Sequence, residues 1–314
     1  MSRRPFCSEI SADSGEPLAG TASRVDHWLL VEYRGVWSSD ALAGSGLSDQ
    51  VKAALRALVN ALRPAKVLFI RRRERRDRGG LAVFFARSLA GRECLTRLEV
   101  DAYGDLVDID FAAPEPPGAA VDHPILLVCT HGKHDPCCAR YGRPLYDVLA
   151  DQAEAEWVWQ VTHIGGDRFA GNVVILPEGL YYGRVRVEEA WTLLDEHLGG
   201  RVFLDRFRGR STQPFAVQAG EIELRRRLGL AGIADVIVTR AARRSGTWSA
   251  ELRETRSGRV HKLEIDVEEG PLTYLTCAAD ALRHPPRFVV RRRLGSADQG
   301  GSADTAGPST PPPG

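Results

Sequence analysis

Cysteine and histidine are concentrated in one short segment of the chain. The stretch CTHGKHDPCC, residues 129–138, holds three of the six cysteines and two of the eight histidines. A second stretch, HIGGDRFAGN, begins at residue 163 and adds a histidine, an aspartate and three glycines. Thiolate and imidazole bind soft and borderline metal ions, and thiols also carry redox chemistry. The two segments therefore predict either a metal site or a redox-active thiol site.

The composition indicates the setting in which such a site would work. The 314 residues carry a formal charge of +1, with 43% hydrophobic and 26% charged residues, as is usual for a globular protein. This balance predicts neither a nucleic acid nor a membrane as a partner. The N-terminus lacks the apolar segment of a signal peptide, and no apolar run is long enough to span a bilayer. We therefore expect a cytoplasmic protein, in which clustered cysteines indicate metal or redox chemistry rather than structural disulfides.

The spacing of the candidate ligands suits a [2Fe–2S] cluster. Such a cluster needs four ligands, and histidine can replace cysteine, as in Rieske centres. Cys129 and Cys138 are separated by eight residues, enough for a loop to enclose one side of the cluster. His163 and Asp167 are separated by three residues and suit the opposite side. A pair of glycines between them would let the backbone approach the cluster sulfides, where a Cβ would obstruct.

The segments CTHGKHDPCCARYGRPL and HIGGDRFAGNVVILPEGLYYGRV together resemble the sucrase/ferredoxin-like family. Its members are similar to thioredoxin-like ferredoxins and carry a [2Fe–2S] cluster on a Cys-x8-Cys and a His-x3-His pattern. The resemblance is specific over residues 125–185 and looser over residues 22–290. It implies that Cys129 and Cys138 are thiolate ligands and that His163 is an imidazole ligand. Asp167 stands where the family has its second histidine.

The fourth ligand is therefore open at this point. Asp167 is one candidate, although oxygen is a harder donor than nitrogen, and the neighbouring Cys137 is the alternative. Cys94 and Cys277 are interpreted as small buried hydrophobes, and Cys7 as part of a tail. The histidines of the first segment, His131 and His134, are expected to be polar loop residues or to contact the ligands. The residues expected to surround the cluster are His131, Gly165, Gly166, Arg168, Phe169 and Asn172.

Hydrophobic patterning indicates how these segments are held. Over residues 119–200 the pattern predicts strand ILLVC, a helix over residues 144–156, strand WVWQVTH, a hairpin of NVVILP with LYYGRV, and helix VEEAWTLLDEHLGG. This β-α-β-β-β-α order resembles a thioredoxin-like fold. Both metal-ligand segments then begin where strands leave the sheet, so their loops can meet at one end. Residues 23–118 show a similar order, which points to an internal duplication.

The predicted fold class combines α/β and α+β units. A disordered tail over residues 1–22 precedes an N-terminal α/β unit over residues 23–118. A thioredoxin-like ferredoxin domain over residues 119–200 is followed by a small α+β module over residues 201–294. Residues 295–314 are rich in Gly, Ser and Pro and are predicted to be a second disordered tail.

The function predicted from these features is electron transfer by a [2Fe–2S] protein, with proton coupling through the histidine ligand. One alternative is a thioredoxin-like thiol oxidoreductase, although the chain has no Cys-x-x-Cys. Another is a zinc site made of Cys129, His131, His134 and Cys137. Sucrase activity is not predicted, because no pair of carboxylates stands out, and no catalytic residue is assigned.

An electron carrier implies a redox partner protein. The basic run RRRERRDRGG, residues 71–80, is interpreted as a solvated hairpin tip. The alternative is a docking patch for an acidic redox partner, since charge patches steer such encounters.

Overall fold

The computed structural model describes residues 4–73, 79–154 and 156–294. The described residues form five α-helices, which are α1 (Cys7–Asp13), α2 (Asp49–Ala61), α3 (Pro136–Gln152), α4 (Ala190–Leu198) and α5 (Phe215–Leu228). The strands of the N-terminal half are β1 (His27–Glu32), β2 (Ala65–Arg71), β3 (Leu81–Arg87), β4 (Cys94–Val100) and β5 (Ala119–Ala120). The next strands are β6 (Ile125–Cys129), β7 (Val158–Val161), β8 (Val173–Leu176), β9 (Leu180–Tyr182) and β10 (Phe207–Arg210). The last four are β11 (Val236–Arg244), β12 (Thr247–Glu254), β13 (Val260–Glu269) and β14 (Pro286–Leu294).

Two sheets organise the chain. The first has ten strands in the order β10-β9-β8-β6-β7-β2-β1-β3-β4-β5, and the second is the antiparallel meander β11-β12-β13-β14. The first sheet is mixed, with helices packed against it, and the second is a separate small sheet beside α5. The predicted fold class, α/β followed by a small α+β module, is confirmed.

The two halves of the large sheet have the same topology. In one half β6 is parallel to β7 and antiparallel to β8, which pairs with β9. In the other half β1 is parallel to β2 and antiparallel to β3, which pairs with β4. The halves join where β2 and β7 pair antiparallel, with Ile70 opposite Val161. The two halves form one continuous sheet and correspond only approximately to the predicted units 23–118 and 119–200, because β5 pairs with β4 in the first half and β10 pairs with β9 in the second.

The burial of β6 explains why the strand leads straight into the cysteine-rich segment. All five residues of ILLVC are buried, as befits a central strand covered on both faces. Leu126 and Val128 pack with Leu145 of α3 on one face. On the other face Cys129 lies in the cluster of Trp28 and Trp159. Cys129 therefore ends the strand inside the core rather than at the surface.

Helix α3 begins earlier than predicted, at Pro136 instead of residue 144. The carboxylate of Asp135 accepts a hydrogen bond from the Cys137 backbone N–H at 2.9 Å, and proline at the first helical position needs no such partner. Pro144 lies inside the helix, although proline usually ends one. The consequence is that Cys137 and Cys138 sit in the first turn of a helix and not in a loop.

The prediction of a disordered tail over residues 1–22 is wrong for residues 4–22. Helix α1 lies here, and Cys7 and Ser11 are fully buried. Arg184 holds this segment by donating hydrogen bonds to the Glu16 carbonyl at 2.9 Å and to Ser11 Oγ at 2.7 Å. The segment is polar in composition, but its few apolar and sulfur-bearing residues are buried by distant parts of the chain. The predicted tail over residues 295–314 lies outside the described residues.

Helix α5 packs between the two sheets and carries a buried ion pair. Glu221, which is 1% exposed, accepts a hydrogen bond from Arg225 at 2.9 Å and forms an ion pair with Arg210 at 3.2 Å. Ile222 packs under the large sheet, while Leu224 packs against the small one. The ion pair therefore lies where the C-terminal module joins the rest of the molecule.

We expect Glu221→Ala to lower the free energy of unfolding by about 3 kcal/mol, because removing one partner leaves buried guanidinium groups without their carboxylate. The matched control is Glu223→Ala on the same helix. Its ion pair with Arg227 is exposed, so the loss should stay below about 1 kcal/mol. Urea unfolding of both variants measures the difference, and equal losses would contradict the assignment.

Candidate metal centre

Two neighbouring parallel strands bring the two ligand-bearing segments together. Strand β6 ends at Cys129, which lies opposite Val161 at the end of β7. His163 follows two residues later. Helix α3, which starts after the β6 loop, returns Cys138 to the same place, and one 3-10 turn over Asp167–Phe169 brings Asp167. The meeting of loops at the carboxyl ends of parallel strands is as predicted.

The four residues predicted as ligands lie in direct contact. The ligand atoms of Cys129, Cys138 and His163 are all within 4.8 Å of one another. Oδ1 of Asp167 is 3.3 Å from Sγ of Cys138 and 2.9 Å from Nδ1 of His163. Cys129 and Cys138 are each 1% exposed and Asp167 is 3% exposed, so water is largely excluded. The structure thus assembles two thiols, an imidazole and a carboxylate in one buried place.

The surroundings of the His163 ring fit a metal site. Its Nδ1 is buried and forms an ion pair with Oδ1 of Asp167 at 2.9 Å. An imidazole beside two thiols is a mixed soft donor set of the kind that iron–sulfur clusters accept. The residues present therefore fit such a group.

The electrostatics of the site differ between the two thiols. The Cys138 thiol and His163 lower the pKa of Cys129 well below its usual value, against the effect of burial, whereas the contact with Cys129 and burial raise the pKa of Cys138. Burial lowers the pKa of His163, but contacts with the Asp167 carboxylate and Cys129 outweigh it and raise that pKa to about 9. Cys129 is therefore the thiol that favours the thiolate form, beside an imidazolium. Binding a metal here would release the protons of Cys138 and of the imidazole.

The two histidines of the first segment have different surroundings. His131 is buried, and its Nε2 donates to the Ser38 carbonyl at 2.7 Å while its Nδ1 accepts from the His163 backbone N–H at 3.3 Å. Both of its nitrogens are occupied, so His131 positions His163. His134 is stacked on the His163 ring at 3.8 Å and its Nε2 is 3.8 Å from Oδ2 of Asp167. It covers the solvent side of the site.

The glycine pair is required for a different reason from the one predicted. Gly165 and Gly166 have φ values of +111° and +85°, which L side chains rarely adopt. A Cβ on Gly165 would lie 2.3 Å from Ser23 Oγ, and one on Gly166 would lie 2.4 Å from Nη2 of Arg208. The missing side chains thus make room for protein groups that support the loop.

The remaining predicted residues brace the loop from outside. Asn172 donates from Nδ2 to the Gly166 carbonyl at 2.8 Å. Phe169 is buried, and Arg168 pairs with Glu16 at 2.7 Å. Arg168 therefore ties the loop to the N-terminal segment and does not face the ligands.

Sequence reasoning missed two cationic residues beneath the site. Arg208 is fully buried and donates to the Gly165 carbonyl at 3.0 Å and to Asn172 Oδ1 at 2.8 Å. Burial lowers the pKa of Arg208 to about 10 and that of Lys66 to about 8. Lys66 donates from Nζ to the Ile164 carbonyl at 2.8 Å. For Lys66 the available signal was a cationic residue inside the apolar strand AKVLFI, whereas the strand FRGR has two arginines and does not single out Arg208.

Cys137 lies apart from these four residues. Its Sγ contacts the sulfurs of Cys7 and Cys277 at 3.5 and 3.3 Å. As an alternative fourth ligand it is on the wrong face of the helix, because successive helical residues point about 100° apart. The same placement separates the predicted zinc set of Cys129, His131, His134 and Cys137. The interpretation of Cys7 as a residue of a disordered tail is wrong, because Cys7 is buried, and Cys277, interpreted as a small buried hydrophobe, is partly buried and packs against Cys7 and Cys137.

The fold and the site define a mixed α/β protein with a buried cysteine–histidine centre at the ends of two parallel strands. A family model described as sucrase/ferredoxin-like matches residues 18–209, more than half of the chain. The protein belongs to the sucrase/ferredoxin-like family, as the resemblance implied. Within the part of the chain that the structure describes, no helix combines the length and the apolarity that crossing a membrane requires.

Two yeast proteins named altered inheritance of mitochondria protein 32 are similar to part of the chain. The protein of Meyerozyma guilliermondii is 35% identical over 95 residues, which cover 27% of this chain and 34% of that protein. The protein of Debaryomyces hansenii is 34% identical over 95 residues, which cover 27% and 35%. The chain thus spans about a third of the length of these relatives.

Solved structures of a thioredoxin-like [2Fe–2S] ferredoxin from Aquifex aeolicus are similar at a lower level. One shares 19% identity at a TM-score of 0.27 and covers 30% of this chain and 97% of the ferredoxin. A cysteine-to-serine variant of it shares 18% identity at a TM-score of 0.26, with 28% and 100% covered. Membership of the family rests on the family model and not on these likenesses.

Proposed function

We propose that this protein binds a [2Fe–2S] cluster and transfers single electrons, with Cys129, Cys138, His163 and Asp167 as the ligands. The observation that carries the proposal is the convergence of two buried thiols and a buried carboxylate on the His163 imidazole. When bound, the cluster supplies one-electron transfer between partners. The membership of the family and the spacing of the two segments agree with this assignment.

The protein's own residues prepare the site in three ways. The Cys138 thiol and His163 lower the pKa of Cys129, which favours the thiolate form of this ligand. His131 holds the His163 backbone, and Asn172 holds the carbonyl of Gly166, so the ligand loop is fixed in place. The cationic groups of Lys66 and Arg208 lie beneath the loop and offset the negative charge of the thiolates.

His163 is the residue suited to proton coupling. Its Nδ1 faces Asp167, so Nε2 is the nitrogen turned away from that carboxylate, and the side chain is 26% exposed. An imidazole bound through one nitrogen holds a proton at the other. Adding an electron nearby raises the affinity of Nε2 for that proton. The proposed protein therefore takes up a proton on reduction, and its reduction potential falls as pH rises.

The rival function, thiol–disulfide exchange, is less well supported. Cys129 is ionised and its Sγ lies near that of Cys138, as an exchange pair would require. An exchange thiolate must be reached by its substrate, and both sulfurs are buried. The adjacent pair Cys137 and Cys138 faces two different clusters of side chains.

Anaerobic purification followed by visible and EPR spectroscopy, with iron and sulfide analysis, tests the proposal. We expect a coloured protein with iron and acid-labile sulfide in equal amounts, and a rhombic EPR signal on reduction. A colourless protein without sulfide would overturn the cluster assignment. A reduced, metal-free protein that catalyses dithiol exchange at a rate dependent on Cys129 would favour the oxidoreductase.

The partner remains a proposal, namely a redox protein. Arg72 is paired with Glu32 at 3.2 Å and with Glu156 at 2.5 Å, and Arg73 lies close to Asp151 and Asp147. These pairs reduce the charge that this part of the basic run presents to an acidic partner. Residues 74–78 of the run lie outside the described residues. The predicted cytoplasmic location also stays a prediction.

We expect Lys66→Met to lower the reduction potential of the protein at pH 7 by tens of millivolts. A unit charge within about 10 Å contributes roughly 1–2 kcal/mol at an effective dielectric constant of about 20. Lys133→Met is the matched control, because Lys133 is exposed in the cysteine-rich loop and is screened by water. Spectroelectrochemical titration measures both, and a larger shift in the control would contradict the role of Lys66.

A further inference from the structure

A second group of sulfur atoms lies beside the proposed cluster site. Cys7 in α1, Cys137 in α3 and Cys277 in the β13–β14 connection come from three distant parts of the sequence. Their Sγ atoms form a triangle, with separations of 3.5 Å for Cys7–Cys137, 3.3 Å for Cys137–Cys277 and 3.6 Å for Cys7–Cys277. All six cysteines of the chain are free thiols, so none of these contacts is a disulfide.

The triangle has nearly the size that a tetrahedral metal ion requires. Zinc–sulfur bonds of about 2.3 Å at tetrahedral angles place two sulfurs about 3.8 Å apart. The three observed separations are a few tenths of an ångström shorter. Three thiols packed this closely can shift outward slightly to admit one ion.

A fourth donor lies at the same point. The ligand atoms of Asp135 and the three thiols are all within 4.8 Å of one another. The Asp135 carboxylate is 1% exposed and accepts hydrogen bonds from the backbone N–H groups of Cys137 at 2.9 Å and Cys277 at 2.6 Å. These bonds fix its orientation and use one lone pair on each oxygen, so each oxygen keeps one lone pair; Oδ2 is 3.9 Å from Sγ of Cys7. Zinc accepts carboxylate oxygen alongside thiolate.

Hydrogen-bond donors face two of the three sulfur atoms. Ser8 donates from Oγ to Sγ of Cys137 at 3.2 Å, and the backbone N–H of Cys7 points to Sγ of Cys277 at 3.5 Å. Cys137 also lies in the first turn of α3, where the helix dipole favours negative charge.

We propose that Cys7, Cys137, Cys277 and Asp135 form a structural zinc site, separate from the cluster site. The thiol protons are released to solvent as the zinc–sulfur bonds form. Thiolate donors exclude hard ions such as Mg²⁺, and the carboxylate favours Zn²⁺ over Cu⁺. A closed set of four protein ligands leaves no open position, so the role is structural and not catalytic.

The site would connect three segments that are distant from one another in the sequence. It joins the N-terminal helix and the β13–β14 connection to the start of α3, next to Cys138. Phe6, Tyr141 and Tyr274 pack around the sulfurs and shield them from water. The ion would therefore hold the first turn of α3 in place and, through it, one ligand of the neighbouring site. The inference does not depend on the proposed cluster.

Metal analysis of single variants separates the two sites. We expect wild-type protein to contain about one zinc per chain in addition to iron. Cys277→Ala should lose at least about nine-tenths of the zinc and keep the iron, whereas Cys129→Ser should lose the iron and keep the zinc. Cys94→Ala, which alters a cysteine outside both groups, should keep both metals. Zinc that disappears with Cys129→Ser and persists in Cys277→Ala would overturn the proposal.

Two measurements on the unaltered ligand set keep the test independent of folding defects. Cobalt loaded into the Cys129→Ser protein should give thiolate-to-cobalt charge-transfer and tetrahedral d–d absorption. Alkylation followed by peptide mass spectrometry should find Cys7, Cys137 and Cys277 modified only after a chelator is added. Absence of both results, or a disulfide between any two of these cysteines in protein prepared without oxidant, would overturn the zinc assignment.

Discussion

Replacing Cys129 or Cys138 by serine is expected to remove the visible absorption of the protein and its iron. Each substitution exchanges a soft sulfur for a hard hydroxyl oxygen in a set of four ligands. Both sulfurs lie within 4.8 Å of the His163 ring nitrogen, and the neighbouring cysteine of the same helical turn, Cys137, contacts Cys7 and Cys277 instead. Mutations that only loosen ligands cost about 10–100-fold in metal affinity, so loss of a ligand should leave below about a tenth of the iron.

The control for this experiment is the adjacent residue. Cys137→Ser changes the same atom in the same helical turn, but its side chain contacts Cys7 and Cys277 instead of the cluster site. We expect Cys137→Ser to keep the visible spectrum while losing zinc. If Cys137→Ser loses the iron and Cys138→Ser retains it, the orientation of α3 assigned here is wrong. Iron analysis and visible spectra after anaerobic purification give the answer.

The candidate cluster site was predictable because its residues follow strands that pair directly. Alternation and apolar runs identify β6 and β7, and the parallel pairing of these strands then places Cys129 and His163 at one end of the sheet. The similar topology of the two halves was visible for the same reason, since both show the same order of short elements.

The second sulfur cluster could not be predicted from local patterns. Cys7 and Cys277 are single cysteines in polar segments, and no spacing rule relates residues that are far apart in the chain. Helix α1 has seven residues and would not be stable alone, so its formation depends on the packing of Cys7 against Cys137. Tertiary contacts, and not the sequence pattern, decide the structure of the N-terminal segment.

The residues that contact the glycine loop, Ser23 and Arg208, could not be predicted for another reason. Gly165 and Gly166 suggested a close approach, but the sequence does not say which group approaches. The structure shows Ser23 and Arg208, which reach the loop from the N-terminal segment and from β10. Similarly, Asp135 and Pro136 form a good helix start, but the helix was predicted to begin at Pro144, because proline is usual in the first turn of a helix and rare inside one. Both cases needed knowledge of what packs nearby.

Asp167 lies at the position where the family has histidine. Asp167→His should keep the cluster and raise its reduction potential, because neutral imidazole replaces a carboxylate and the site becomes one unit more positive. In Rieske centres two histidines in place of two thiolates raise the potential from about −400 mV to about −150 mV or above, so one exchange should give on the order of 100 mV. The potential of the variant should also depend more steeply on pH, because it has a second titratable imidazole.

The variant Asp167→Ala tests whether Asp167 is itself a ligand or only contacts the ligands. If Asp167 binds the metal, the alanine variant should lose its cluster at least about tenfold faster in the presence of a chelator. His134→Ala is the matched control, because His134 lies on the same site at 3.8 Å from Oδ2 of Asp167 but is largely exposed. Its cluster should persist as in the wild type. A stable cluster in Asp167→Ala together with a labile one in His134→Ala would indicate that His134, and not Asp167, is the fourth ligand.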